Sequence, residues 1–413
     1  MLKLVVAEKV LSSGFQILFI LLAGKVLDSQ QMAAFVLFLA TIGFSNFIGQ
    51  FGLNGYLIRK LKNTTSKDAT ISNAFFVRFI ANLLGTLFLV CAFTSSDDIV
   101  FRSLTQGYAA VNIFRALEVY ELYLQSESKF QLLSGVKIIV NTIVFIAKIW
   151  ILFSSFEPFS IGLLHAASFN VPFIVYFLVL LTQGNTMIKL SSLRWLFQKK
   201  MILLIMPVVM GSGLALINSR IDQILIRSFL PPSDLATYGL AVQVTEGAMI
   251  FITSAMMYYF PILLSANRGT PSPKEQTTIQ IVRNVMRTAW GFTLFNIALS
   301  APIFYFLFHE KYALIANIIV LHSITLIPLA FREFMSRWII ITNQLKFSLY
   351  SHGLAALTNV ALNLILLPLL GIYGASIASI FSYTIGAFAV FLFSRHLREH
   401  VIGFARVAMT PWR

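Results

Sequence analysis

The sequence is short of almost everything a soluble enzyme draws on. Its single cysteine, Cys91, sits in an apolar run, which excludes an intramolecular disulfide framework and a thiolate metal centre. Charged residues make up 11% of the 413 positions against 58% hydrophobic ones, and mean hydropathy is +0.81. A water-soluble domain does not have that balance, so the chain reads as a polytopic membrane protein. Acidic residues are scarcest, 16 Asp and Glu against 31 Lys and Arg. In a soluble protein a net charge of +15 would suggest nucleic acid. Here it reads as cytoplasmic loop charge that fixes topology, and no nucleic-acid partner is expected. Long outer loops are lacking too: those turns hold a few residues each, with Asp97 and Asp98 their sole acidic pair. A membrane glycan polymerase or acyltransferase would need catalytic acids or a histidine near water, so that alternative stands below transport. The chain is read as no enzyme, with no cofactor and no metal.

What the sequence does have is apolar length. Segments of spanning size recur at Val10–Leu27, Met32–Ile58, Ser72–Thr94, Ile99–Leu124, Gln131–Ser155 and Phe159–Thr182. A second set follows at Ile202–Leu230, Asp234–Ala266, Val285–Phe308, Tyr312–Thr342, Phe347–Leu370 and Tyr373–Ser394. A hydrocarbon core requires about 20 residues of helix, so the expectation is all-α with about twelve transmembrane helices. The opening stretch, with Lys3 and Lys9 before its apolar core, lacks a small-x-small cleavage site and reads as the first span, not a signal peptide. Placing the amino terminus inside gathers Lys3, Lys9, Arg59, Lys60, Lys62, Lys67, Lys129, Lys189, Arg194, Lys199, Lys200, Arg268, Lys274, Arg283, Lys346 and the carboxyl-terminal arginines on one side. Asp28, Asp97, Asp98, Glu157, Asp234 and Glu310 fall on the other. That alternation predicts both termini in the cytoplasm.

Organisation follows from the longest inner links. We expect a six-helix lobe over residues 1–182, a basic cytoplasmic linker over 183–201, a second six-helix lobe over 202–394 and a basic tail over 395–413. Within the linker, Trp195–Lys200 (WLFQKK) reads as an interfacial amphipathic stretch. The segment Leu27–Phe35 (LDSQQMAAF) aligns without gaps on Leu230–Tyr238 (LPPSDLATY). Both lie between the first and second helix of a half that starts inside, so the halves form a parallel repeat around a central cavity.

Ionisable residues inside spans are costly and usually functional, and the stretch Ile217–Phe251 concentrates them: Arg220, Asp222, Arg227 and Glu246. At 3.6 residues per turn Arg220, Gln223 and Arg227 share one face, and Asp222 points elsewhere. Further in-span cations are Arg78, Arg115, Lys137, Lys148, Arg332 and Arg337, with Asn141 between Lys137 and Lys148 on nearly the same side, and Asn82 four residues after Arg78. Arg115 with Glu118, and Glu333 with Arg337, are equally well placed to be ion pairs within one helix. His352, Asn359 and Asn363 form a polar stripe at i, i+7 and i+11, suited either to sugar hydroxyls or to helix-helix bonds. His165 reads as a packing residue. Tyr258, Tyr259, Tyr305 and Trp338 read as an interfacial belt.

The Arg-x-Asp of Arg220 and Asp222, the apolar ILIRSFL after it, the short Pro/Ser/Asp turn, Leu235–Ala241 (LATYGLA) and Pro261 together resemble the seventh and eighth helices of polysaccharide flippases. These are the Wzx or O-antigen type within the multidrug/oligosaccharidyl-lipid/polysaccharide exporter superfamily. Phe51–Lys60 (FGLNGYLIRK), Ala116–Phe130 and Leu362–Gly386 are similar as well, so the resemblance covers nearly the whole chain. Thr237 departs from it, standing where the pattern has Gly before Tyr. The resemblance implies a two-lobed flippase in the bacterial inner membrane that moves an undecaprenyl-pyrophosphate-type lipid-linked glycan by alternating access. It would serve O-antigen and lipopolysaccharide, capsule or exopolysaccharide synthesis, alongside a polysaccharide polymerase and chain-length regulator.

On that footing the in-span cations would grip pyrophosphate, to which Arg can bond bidentately. Asn141, His352, Asn359 and Asn363 would meet the glycan. Asp222 and Glu246 are the candidates for proton or sodium coupling, with structural pairing the stronger alternative for Asp222. A cation-coupled multidrug exporter would want acids lining its pocket, the reverse of this balance. A flippase for cell-wall precursor is expected to carry two further helices, for which the chain has no room.

Overall fold

Apolar stretches of this length fold as helices because lipid offers no partner to an open backbone, and among the described residues every regular element is helical. The computed structural model describes residues 2–183, 195–266, 275–308, 310–342, 344, 346–392 and 395–412. Most of the expected linker lies outside the described residues, as do Lys189, Arg194, Arg268, Lys274 and Arg413. The chain forms two compact units, Met1–Ser212 and Gly213–Arg413.

The first unit begins with α1 (Leu2–Val26) and α2 (Ser29–Gln50). Asp28 starts α2 with a capping box: its carboxylate accepts from Gln31 N at 2.8 Å, and the Gln31 side chain accepts from Asp28 N at 3.1 Å. The predicted second span then breaks where Phe51 and Gly52 take positive φ, and resumes as α3 (Asn54–Asn63). After α4 (Lys67–Thr94) comes a larger departure from expectation. The predicted fourth span is two short helices, α5 (Ile99–Ala109) and α6 (Glu118–Ser126), joined by a 3-10 segment, Asn112–Leu117. Asn112 spends its amide on Thr86 Oγ1 at 3.0 Å, and the Val111 carbonyl is bonded by Asn170 Nδ2 at 2.7 Å. A side chain of a neighbouring helix thus satisfies backbone that the break exposes. The unit closes with α7 (Phe130–Ser154), α8 (Pro158–Thr182) and the first part of α9 (Trp195–Phe229).

Residues Trp195–Lys200 are therefore the opening turns of a 35-residue helix and not a separate interfacial stretch. Helix α5 lies tightly on α8. A Cβ on Gly107 would stand 2.0 Å from Phe159 O, and one on Gly162 2.0 Å from Leu104 O, so only hydrogen at both positions permits this approach.

The second unit holds the rest of α9, then α10 (Pro232–Ala266), α11 (Glu275–Phe295), α12 (Ala301–Phe308), α13 (Ile315–Ser323), α14 (Leu326–Ile341), α15 (Lys346–Leu370), α16 (Ile372–Thr384) and α17 (Val390–Leu392). Single π turns, Asn296–Ser300 and Ile385–Ala389, join α11 to α12 and α16 to α17. Its fourth span is also broken, between α13 and α14, where Thr325 Oγ1 bonds the His322 carbonyl at 2.6 Å. The packing order repeats: α2 on α4, α5 on α8 and α7 on α8 in one unit, α10 on α11, α13 on α16 and α15 on α16 in the other.

The expected basic tail is helix α18 (Arg395–Met409). Val401, Phe404 and Ala408 join the core of the second unit with Phe334 and Trp338. Trp290 Nε1 donates to Ala408 O at 3.0 Å and Arg287 Nε to Pro411 O at 2.8 Å. Trp338 is only 1% exposed, stacked on Phe334 and met edge-on by Phe404, which corrects its reading as interfacial belt; burial there follows from α18 covering it.

Among the described residues eleven stretches are long and apolar enough to cross a membrane, and the broken α5–α6 stretch stands in the place of the twelfth. Their outward faces remain apolar: Trp150 is 71% and Phe306 79% exposed, as suits side chains covered by lipid.

Candidate functional site

The first unit encloses a cavity of about 200 Å³ between α1, α2, α7 and α8. Its polar lining comes from two stripes. Helix α7 contributes Lys137, Asn141 and Lys148, so the predicted one-face arrangement of these three does place them in one cavity. Helix α1 contributes Glu8, Ser12 and Gln16, four residues apart along one side. Phe15, Phe19, Phe145 and Phe169 supply apolar wall. Asn141 Nδ2 bonds Ser12 Oγ at 2.8 Å across the space, leaving Asn141 Oδ1 buried without a partner.

The two ends of this cavity differ in charge. At one end Lys137 Nζ lies 2.6 Å from Glu121 Oε1, with Glu8 close enough to feel both charges. The other end has Lys148, 8% exposed, whose Nζ is 3.2 Å from His165 Nδ1 and 5.5 Å from the centre of the Phe19 ring. Its hydrogen-bond partner is an imidazole instead of a carboxylate. Arg115 is nearby, its guanidinium 4.8 Å from the Phe169 ring and 3.4 Å from the Tyr108 hydroxyl. Of the two readings open for Arg115, the ion pair with Glu118 does not form, because Glu118 turns to Arg78.

Arg78 is fully buried, 2.6 Å from Glu118 Oε2, and its other terminal nitrogen bonds Asn54 Oδ1. Asn82 is enclosed beside it, donating to the Arg78 carbonyl at 2.8 Å. This corrects Arg78 as a cavity cation: three polar groups from α3, α4 and α6 close on one another inside the unit.

In the second unit Arg220 Nη2 meets Glu246 Oε2 at 3.0 Å, both partly exposed. Asp222 is buried and accepts from the Tyr238 hydroxyl, from Gln223 N at 2.8 Å and from Ser379 Oγ at 3.4 Å, which is the structural pairing weighed for it. Asp222 and Glu246 line one small cavity of about 20 Å³ with Thr245, His322 and Tyr383, roughly the room of one water. Arg227 is half-buried near the end of α9. Arg332 lies over the Tyr383 ring at 5.2 Å, with Nη1 buried and unpartnered, and Arg337 forms the expected i,i+4 pair with Glu333 at 2.6 Å. The polar stripe on α15 resolves toward packing. Asn359 is fully buried, bonded to Asn218 O and Ser382 Oγ at 3.2 Å each, and Asn363 donates to Asn359. Neither faces a space a sugar can enter, which corrects both as glycan contacts. His352 is half-buried, its Nδ1 without a partner.

Sequence reasoning missed Glu8, Ser12, Gln16 and the role of His165. The first three carried a signal, a polar stripe at helical spacing inside an apolar opening stretch. His165 carried none, because its partner arrives from another helix.

The profile of the family described as "Lipid II flippase MurJ" matches residues 118–412. The chain belongs to that family. Its fold agrees: a structure of the lipid II flippase MurJ in an inward closed conformation superposes with a TM-score of 0.70 at 14% identity, over 98% of this chain and 91% of that one. An inward-facing multidrug resistance MATE family transporter of the MOP superfamily gives 0.67 at 13% identity, over 96% of both chains. A MATE in its bent conformation gives 0.66 at 16%, over 98% and 97%. No curated protein matches the sequence. The superfamily inferred from the flippase resemblance therefore holds, and the protein is a multi-pass membrane transporter and not an enzyme. The family model that matches is that of MurJ, so helix count does not exclude a MurJ relative.

Proposed function

We propose that the protein flips a polyprenyl-pyrophosphate-linked saccharide across the bacterial cytoplasmic membrane by alternating access, with both termini in the cytoplasm. The observation that carries this reading is Lys148: a buried lysine facing a cavity with an imidazole nitrogen, and no carboxylate, as its hydrogen-bond partner. An ammonium so placed can exchange that bond for a charge-assisted one to a phosphate or carboxylate oxygen. The family match supports a lipid-linked cargo. Arg115 and Lys137 add positive charge in the same unit and Asn141 a polar contact in the same cavity, while Arg220, Arg227, Arg332, Arg337 and His352 are the candidates of the second unit. Asp222 and Glu246, lining one small cavity, are the carboxylates through which a proton or sodium gradient would act.

The cargo is a repeat unit for surface polysaccharide in the reading that follows the flippase-like stretches around Arg220 and Asp222, and a polymerase and chain-length regulator would then act downstream. A second reading, lipid II itself, is favoured by the family profile. Deleting the gene in its host and analysing the lipid-linked glycan pool separates them. Complete repeat units stranded on carrier lipid with surface polymer lost supports the first, and accumulated lipid II supports the second. An unchanged pool with lost tolerance to organic cations would overturn both in favour of a multidrug exporter.

A further inference from the structure

Helix α18 is too short to span a bilayer, yet it is not a soluble appendage. One side, Val401, Phe404 and Ala408, is buried in the second unit. The other side mixes exposed apolar and basic residues: Ile402 and Met409, 40% and 67% exposed, bracket Arg406 on one face. Between α18 and the end of the span that includes α17 runs an open groove of about 590 Å³, walled by Phe388, Leu392, Ile402, Ala405 and Met409. Arg406 is the one charged residue among those that line it. Leu392 is exposed at the end of α17, and Phe381 on α16 is 54% exposed, so the groove continues the outward face of that span, where hydrocarbon lies. Arg398 cannot fill it, because its Nε is held by the Leu392 carbonyl at 2.9 Å. Among the described residues no carboxylate pairs with Arg406.

A helix lying in the interface with basic residues beside apolar ones is attracted to anionic lipid. We propose that α18 and its groove hold one anionic phospholipid of the surrounding bilayer, an acyl chain along Leu392, Ile402 and Met409 and the phosphate on the Arg406 guanidinium. Charge complementarity decides the occupant: a purely apolar partner helix would bring Arg406 no counter-charge, and in a zwitterionic lipid the phosphate is already offset by the headgroup's own ammonium, whereas an anionic lipid keeps its net charge for the guanidinium. The bound lipid would staple α18 to the span it follows, and with it the cover over Trp338.

The purified full-length protein, titrated with phosphatidylglycerol or phosphatidylcholine and read by native mass spectrometry, tests this. Wild type should retain phosphatidylglycerol in preference to phosphatidylcholine, and Arg406→Gln, at an exposed position that leaves folding intact, should reduce that preference about fivefold. Ala405→Trp, which fills the groove, should lower retention of both lipids, while the thermal midpoint reports whether either variant still folds. Equal retention of phosphatidylglycerol by wild type and Arg406→Gln would overturn the proposal. So would displacement of the lipid by soluble glycerophosphate, which would mark a free-anion site, or by a polyprenyl phosphate at concentrations where phosphatidylglycerol does not compete.

Discussion

The Arg78–Glu118 pair gives the sharpest test of which intramembrane cations are structural. Arg78 has a side chain 0% exposed and Glu118 one 9% exposed, with 2.6 Å between them, and Asn54 bonds both. Replacing Glu118 with Ala would strand a guanidinium in the unit's interior, where its Nε already lacks a partner. Removing one member of such a pair costs about 3–5 kcal/mol. At about 2–4 °C per kcal/mol for a unit of this size, that is a fall of roughly 6–20 °C in thermal midpoint. Replacing both together, Arg78→Met with Glu118→Leu, removes both desolvated charges and should recover most of the loss. Thermal unfolding of the purified protein measures all three variants, and complementation of a deletion strain, normalised to the amount folded, measures transport. The double variant should be nearly as stable as wild type and transport normally. If Glu118→Ala costs no stability, or if the stable double variant no longer transports, Arg78 belongs to the transport machinery and the burial argument is wrong.

Lys148→Met should leave the thermal midpoint unchanged or raised, because it removes a buried charge that no carboxylate compensates, and should cut transport about tenfold to a hundredfold if that ammonium makes one charge-assisted bond to cargo; wild-type complementation by this variant would refute the cavity assignment. Gly162→Ala puts a methyl 2.0 Å from the Leu104 carbonyl, so α5 and α8 must separate, at a cost of about 1–3 kcal/mol; an unchanged midpoint would mean the helices are not packed this closely. Asn359→Ala breaks bonds to Asn218 and Ser382 and should lose about 0.6–2 kcal/mol with transport per folded molecule unaltered, whereas a selective transport defect would return Asn359 to the glycan.

The spans, the all-helical class and the cationic stripe of α7 were legible because each depends on local spacing. The partners of the charges were not. Arg78 meets a carboxylate 40 positions away, Lys137 one 16 away and Arg220 one 26 away, and helical spacing says nothing about contacts between helices. The same limit hid the break in the fourth span. Val111 and Asn112 are ordinary in an apolar run, and the break is tolerated only because Asn170, Thr86 and Ser45 arrive from neighbouring helices. Helix α18 was read as a tail because its 15 residues fall short of a span and its basic residues served the topology argument. The flippase-like stretches reached the superfamily and no further, since degenerate apolar motifs specify how helices pack more than what they carry.

Charge bookkeeping along the spans then narrows where cargo is held. Of the cations inside the spans, Arg78, Lys137, Arg220 and Arg337 each meet a carboxylate, whereas Lys148 meets an imidazole. A cation already paired to a carboxylate must give up that pair before it can bind phosphate, so the exchange gains little. Lys148 gives up a bond to an imidazole nitrogen and gains one to an anion, where opposite charges add to the hydrogen bond. The cavity's far end reinforces this asymmetry. Glu8 and Glu121 sit with Lys137, roughly 16 Å along α7 from Lys148 at 1.5 Å per residue. They leave the Lys148 end positive and would repel a bound anion from the other. Moving a carboxylate next to Lys148, as in Phe19→Glu, should therefore silence the site even with Lys148 intact, while the same charge added beside Lys137 should not.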